Sequence, residues 1–157
     1  MLGGENEKSS PVCEYVQEFL QKMGVKGTVE ESVIGDTTAF VIRTEEAGML
    51  IGEDGQNLLA LNHIVRRMLE RRFGGDAANF MVDVNDYQRH RFEELKDRAR
   101  MGAKRARYFK KDVVLQPMSS FERRIIHLAL QEYPDIATES IGEGPERRVV
   151  IKPMLDV

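Results

Sequence analysis

Residues 49–57 read Met-Leu-Ile-Gly-Glu-Asp-Gly-Gln-Asn, and the turn at their centre decides the fold of the first half of the chain. Gly52 and Gly55 stand three apart between an apolar run and a long amphipathic segment. The backbone there can turn tightly and approach another backbone closely. The helix expected to follow offers unpaired N–H groups and the positive end of its dipole to a phosphate. Glu53 and Asp54, however, sit between the glycines, where that phosphate would have to pass. The spacing is weak by itself, because 13 glycines in 157 residues produce it by chance. Its flanks must carry the assignment.

Upstream, residues 12–23 are helix-like, and residues 27–34 and 37–44 are β-rich runs separated by Gly35-Asp36, a hairpin signal. Downstream, Leu58, Leu61, Val65, Met68 and Leu69 recur at helical spacing up to the stop at Gly74-Gly75. Residues 79–84 then alternate like a strand. This order resembles the type II KH domain, αββααβ, over residues 10–85, with the glycine turn between the right two helices. In KH domains that loop grips about four nucleotides. The resemblance assigns nucleic-acid contact to Ile51, Gly52, Glu53, Asp54, Gly55 and Gln56. Family members commonly place Lys or Arg between the glycines, whereas each carboxylate here would repel a phosphate by on the order of 1 kcal/mol.

The net charge of −3 conceals an asymmetry. Residues 1–85 carry 8 Lys and Arg against 14 Asp and Glu, while residues 86–157 carry 15 against 12. Most of the excess lies in residues 86–111, with 10 basic and 4 acidic side chains. Phosphate affinity follows local clustering of cations rather than the total, so an acidic protein can still bind a polyanion. Residues 86–111 lack breakers and predict one long helix with Phe92, Leu95, Ala99, Ala103 and Ala106 as its apolar stripe. Its charges read equally well as a solvated face or as a phosphate-facing one.

Beyond it, residues 113–117 predict a short strand ended by Pro117, and Ser119 or Ser120 can cap a helix reaching about Tyr133. On a helical wheel Phe121, Ile125, Leu128 and Ala129 point inward. Ser120, Arg123, Arg124, His127 and Gln131 gather on the opposite, exposed face, which favours His127 for base stacking or phosphate contact. Strands are expected at residues 136–141 and 147–152, joined by the turn Gly142-Glu-Gly-Pro145. The run from Leu115 to Leu130, followed by Thr138-Glu-Ser-Ile-Gly-Glu-Gly-Pro-Glu-Arg-Arg-Val-Val-Ile151, resembles the small single-stranded nucleic-acid-binding domain named for its Arg-x-x-x-His motif, here Arg123 and His127. A KH domain followed by this domain, over residues 86–157 with the long helix, is the arrangement of the bacterial Jag (SpoIIIJ-associated) family. The fold class is therefore α+β in two small domains.

That resemblance implies a cytoplasmic binder of single-stranded RNA, or also of single-stranded DNA, acting as a post-transcriptional regulator linked to cell elongation or sporulation. The second-domain contacts would be Ser120, Arg123, Arg124, His127, Arg147 and Arg148. Expected protein partners are a small single-KH protein or a second copy of the chain. Many Jag proteins begin with a further N-terminal domain, which nothing before residue 12 supplies. An alternative reading makes the acidic KH domain a protein-docking scaffold.

Other chemistry finds little support. The single cysteine, Cys13, excludes a disulfide framework, and no apolar run approaches the roughly 20 residues of a membrane span. The start Met1-Leu-Gly-Gly-Glu-Asn-Glu-Lys lacks a signal-peptide pattern. There is no Walker loop, His-Glu-x-x-His or nucleophile elbow, and Asp83-x-x-Asp86 lacks companion ligands for a metal. Neither enzyme activity nor a cofactor is expected. Arg66, Arg67, Arg71 and Arg72 read as a partly paired solvated face, His63 and His90 as surface residues, and Met49, Met68, Met81, Met101 and Met118 as core filler.

Overall fold

The computed structural model describes residues 9–75 and 79–154. The polar opening, residues 1–8, lies outside them. Two compact units divide between Arg89 and His90, and both mix helix with sheet.

In the first unit α1 (Pro11–Lys22) starts at Ser10, whose hydroxyl accepts from the Cys13 N–H, with proline at the first helical position. The antiparallel strands β1 (Thr28–Ile34) and β2 (Thr37–Arg43) follow, then α2 (Ala47–Ile51), α3 (Gln56–Phe73) and β3 (Phe80–Val84). The sheet runs β1-β2-β3, with β2 parallel to β3. Because β2 is central, Ala39, Phe40, Val41 and Ile42 are all buried, so this strand shows an apolar run rather than alternation. Val16 and Leu20 of α1 and Leu58, Leu61, Val65 and Leu69 of α3 close the core over it. Each such side chain contributes about 1.5–3 kcal/mol when fully buried.

Two side-chain amides satisfy backbone groups at the sheet edges. Gln17 donates through Nε2 to the Gly27 carbonyl at 2.8 Å and accepts from the Val29 N–H at 3.0 Å. Asn62 of α3 donates to the Val82 carbonyl at 2.9 Å and accepts from the Val82 N–H at 2.7 Å. Each fixes a helix against a strand whose outer groups would otherwise be orphaned.

Asp83 is the one buried charged residue among the described residues. Its carboxylate accepts N–H bonds from Val84 at 2.7 Å, Gln88 at 2.8 Å and Arg89 at 3.3 Å. It thereby caps the start of α4 (Tyr87–Phe109). Burial pushes its carboxyl upward and the three backbone donors oppose that shift. Asp86 instead faces Arg43, at 2.6 Å. The Asp83-x-x-Asp86 pair is thus a structural joint at the end of the sheet.

The second unit takes most of α4, then β4 (Val113–Val114), α5 (Ser120–Leu130), β5 (Ile136–Ile141) and β6 (Arg148–Pro153). Its antiparallel sheet runs β4-β6-β5. Leu95, Ala99, Ala103 and Ala106 of α4 pack with Ile125, Ile126 and Leu130 of α5 against Val149 and Ile151. The small side chains of α4 permit close approach, and a methyl at Gly102 would run into the Ile151 Cδ1.

Three expectations need correction. The inward face of α5 is Ile125, Ile126 and Leu130, while Leu128 is 46% exposed. With a 3.6-residue period Leu128 falls about 200° from both Ile126 and Leu130, which the sheet draws inward. β4 is only two residues long, although the Leu115 and Met118 N–H groups still reach the Val149 and Arg147 carbonyls irregularly. Met49 and Met101 are exposed rather than core filler.

Candidate nucleic-acid interface

The first candidate surface is the turn between α2 and α3. Gly52 (φ +72°) ends α2, Glu53–Gly55 make a single 3-10 turn, and Gly55 (φ +80°) begins α3. A Cβ at Gly52 would fall 2.6 Å from Asn57 Cγ, and one at Gly55 would fall 3.1 Å from the Tyr87 ring. The turn therefore requires both glycines by torsion and by space. Asn57 donates to the Met49 carbonyl at 2.8 Å, closing the end of α2. No side chain among the described residues caps α3, so its first-turn N–H groups are open to a ligand or water. Ile51 is half-buried against the core, and Gln56 is exposed. Glu53 and Asp54 are also exposed, and Asp54 takes a left-handed φ of +50° that Asp tolerates better than most residues. The geometry suits a backbone clamp, but the charge at its tip opposes one.

The second surface is built on α5. Ser119 caps the helix, accepting from the Glu122 N–H at 3.2 Å while Glu122 accepts from the Ser119 N–H at 2.9 Å, a capping box. Arg91 of α4 holds the same glutamate at 2.9 Å. With the cap assigned to Ser119, Ser120 is left to line a shallow cavity with Arg123, Arg124, His127, Leu128, Gln131, Thr138 and Ser140. The cavity encloses about 390 Å³.

Within it His127 is not the freely exposed ring that the wheel predicts. The imidazole is half-buried between α5 and β5, with Nδ1 2.6 Å from the Thr138 hydroxyl and Nε2 3.0 Å from the Ser140 hydroxyl. It pins the helix to the strand. Burial, and secondarily the charge of Arg123, hold its pKa below the usual imidazole value. Neutral His127 leaves Arg123 as the working cation. Arg123 is half-buried and lines the cavity, its buried Nε has no hydrogen-bond acceptor, and it has no ionic partner among the described residues. Such an orphaned donor costs about 1–3 kcal/mol until an acceptor arrives. Arg124 is exposed beside it.

The two remaining expected contacts lie elsewhere. Arg148 opens β6, pairs with Glu146 at 2.8 Å and alternates with Val149, so it sits on the sheet face opposite α5. Arg147 is exposed just before it. Thr138 and Ser140 were missed as site residues. Two polar residues on the inward phase of β5, two apart like Ile136 and Thr138, are the signal that identifies them.

The lowered pKa of His127 sets a pH dependence. A histidine depressed in the folded state contributes stability that is complete above its unfolded value near 6.5 and is lost as pH falls through the lower folded value. The melting temperature should therefore drop between pH 7 and pH 5 by more in the unaltered chain than in His127→Gln, with circular dichroism as the readout. Parallel curves for the two proteins would contradict the assignment. His127→Gln should also cost about 1–2 kcal/mol at neutral pH through the strained or lost hydroxyl contacts.

A glycine clamp between two helices on a β1-β2-β3 sheet, followed by a helix whose Arg and His sit four apart over a second small sheet, defines a two-domain nucleic-acid-binding class. The KH domain family matches residues 12–88, and the family of the Arg-x-x-x-His domain matches residues 90–153. Similar proteins include the RNA-binding protein KhpB of Bacillus subtilis, 35% identical over 150 residues, covering 92% of this chain and 72% of the relative. That of Clostridium symbiosum is 36% identical over 140 residues, covering 85% and 63%. That of Lactiplantibacillus plantarum is 30% identical over 140 residues, covering 89% and 43%. The chain belongs to the KhpB family, also known as Jag. It spans between 43% and 72% of the lengths of these three relatives.

Proposed function

We propose that this chain binds single-stranded RNA as a post-transcriptional regulator, without catalysis, in the cytoplasm, and that the cavity on α5 is its principal contact. The carrying observation is Arg123, a half-buried cation that lines the cavity with an orphaned Nε and no ionic partner among the described residues. A phosphate oxygen is the ligand that satisfies its charge and its fork of donors together. Leu128, with Ser120 and Gln131 beside it, offers a partly apolar wall and hydrogen-bonding groups to an unstacked base. The relatives are named as RNA-binding proteins, which favours RNA as the polyanion. Pairing with single-stranded DNA, and any role in elongation or sporulation, rest on the family resemblance.

The test is a titration of a labelled single-stranded oligoribonucleotide with the full chain at several salt concentrations. Log affinity should fall linearly with log salt, with a slope of about 0.7 per phosphate neutralised. Salt-independent binding, or none, would contradict the reading.

A second reading applies to the first unit alone. Glu53 and Asp54 project from the clamp, which favours a KH domain that docks a protein, either a small single-KH protein or a second copy, leaving RNA to the α5 cavity.

A further inference from the structure

The geometry points to a second single-stranded nucleic-acid contact on the C-terminal half of α4, separate from the α5 cavity and formed by Arg98, Arg105, Tyr108 and Phe109. This inference rests on the RNA-binding reading and extends its surface. The basic residues of α4 fall into two groups. Toward its start, Arg89 donates to the Ser32 hydroxyl, Arg91 holds Glu122, Lys96 pairs with Glu93 and Arg100 with Asp97. Arg107 is held by Asp135 and lies over the Tyr133 ring. Those cations are satisfied within the protein. Arg98, Lys104, Arg105, Lys110 and Lys111 have no acidic partner among the described residues, and residues 104–111 contain no Asp or Glu at all.

The unpaired cations lie beside aromatic surface. Tyr108 is 82% exposed and Phe109 is 63% exposed, their rings edge to face with centroids 4.9 Å apart. Both rings stay in water beside unpaired cations, which is the surface on which an unstacked base can lie. Arg98, Met101, Arg105 and Tyr108 recur at intervals of three and four, one ridge of the helix, and Arg98, Met101 and Arg105 line a groove against Val114 and Gln116. The ridge spans about 15 Å from Arg98 to Tyr108 at 1.5 Å per residue.

Cations in a row ending in exposed rings match the two needs of a single strand: phosphates neutralised along a groove and bases stacked at one end. Arg98 and Arg105 are the charged residues that line the groove and no acidic side chain lines it, so a polyanion is matched in charge there. The groove lies beside β4 and the α5 cavity beside β5, opposite edges of the three-stranded sheet. One strand long enough could engage both, which would add effective concentration to two modest contacts.

The test compares the full chain with Tyr108→Ala/Phe109→Ala and with Arg98→Ala/Arg105→Ala, titrating short and long labelled uridine-rich oligoribonucleotides. The aromatic variant should bind the long strand about tenfold more weakly, with its salt slope unchanged. The arginine variant should lose about 1.4 from the salt slope. All four side chains are surface-exposed, so melting curves should match the unaltered chain. Photo-crosslinking of 4-thiouridine strands to the unaltered chain should also map to the peptide holding Tyr108 and Phe109, a readout that needs no variant. Long-strand affinity unchanged in both variants, while Arg123→Ala still weakens binding, would overturn this contact and leave the RNA reading standing. No binding by the unaltered chain at any salt would overturn both.

Discussion

Replacing Arg123 with Ala should weaken single-stranded RNA binding by about 10- to 100-fold at moderate salt, the equivalent of the roughly 1.5–3 kcal/mol that charged hydrogen bonds contribute. The salt slope should fall by about 0.7 as one phosphate contact is lost. Stability should hold or rise, because truncation removes a buried donor that has no acceptor among the described residues. Arg123→Lys should recover part of the affinity, since it keeps the charge but loses the planar fork. His127→Ala should behave differently, losing both stability and affinity, because His127 ties α5 to β5 through Thr138 and Ser140. Fluorescence anisotropy paired with thermal melts separates these outcomes. Equal affinity for Arg123→Ala and the unaltered chain would remove the α5 cavity from the interface.

The second large effect is a gain. Removing the acidic tip of the clamp with Glu53→Lys and Asp54→Asn changes the loop by three charges. It should raise RNA affinity by about tenfold at low salt if the KH groove receives the strand, given roughly 1 kcal/mol for each close like-charge pair removed. Asparagine suits position 54 better than lysine, because the φ of +50° there favours Asn and Asp over most side chains. The gain should shrink as salt rises. Should the groove serve a protein instead, the variant would show only a small, salt-erased gain for RNA and would lose its partner in a pull-down from cell extract.

Much of the fold was legible because its signals are local. The Gly35 turn, the Gly52 and Gly55 pair, the Gly74 stop and the Leu58, Leu61, Val65, Leu69 stripe mark element ends and faces directly in the chain, and the α4 stripe from Phe92 to Ala106 does the same. The site was legible in part. Arg123 and His127 do share one cavity, but the wheel could not tell an exposed imidazole from one clamped by a strand, because β5 supplies both hydroxyls from more than ten residues away. The same limit hid Gln17 and Asn62, whose amides serve strand edges distant in sequence. Charge counting likewise found the basic helix. Spatial partners such as those of Arg89, Arg91, Lys96, Arg100 and Arg107 separate its satisfied cations from those without an acidic partner among the described residues.

Entry of single-stranded RNA into the cavity between α5 and β5 is the step on which the functional reading depends. Titrating the isotope-labelled full chain with a single-stranded oligoribonucleotide, and following amide and arginine side-chain resonances by NMR, observes that step without any variant. The Arg123 Nε–H and the backbone amides of His127, Thr138 and Ser140 should shift and saturate together at the affinity measured by anisotropy. Saturating binding that moves only residues of the α2–α3 turn, with the Arg123 Nε–H unperturbed, would contradict it.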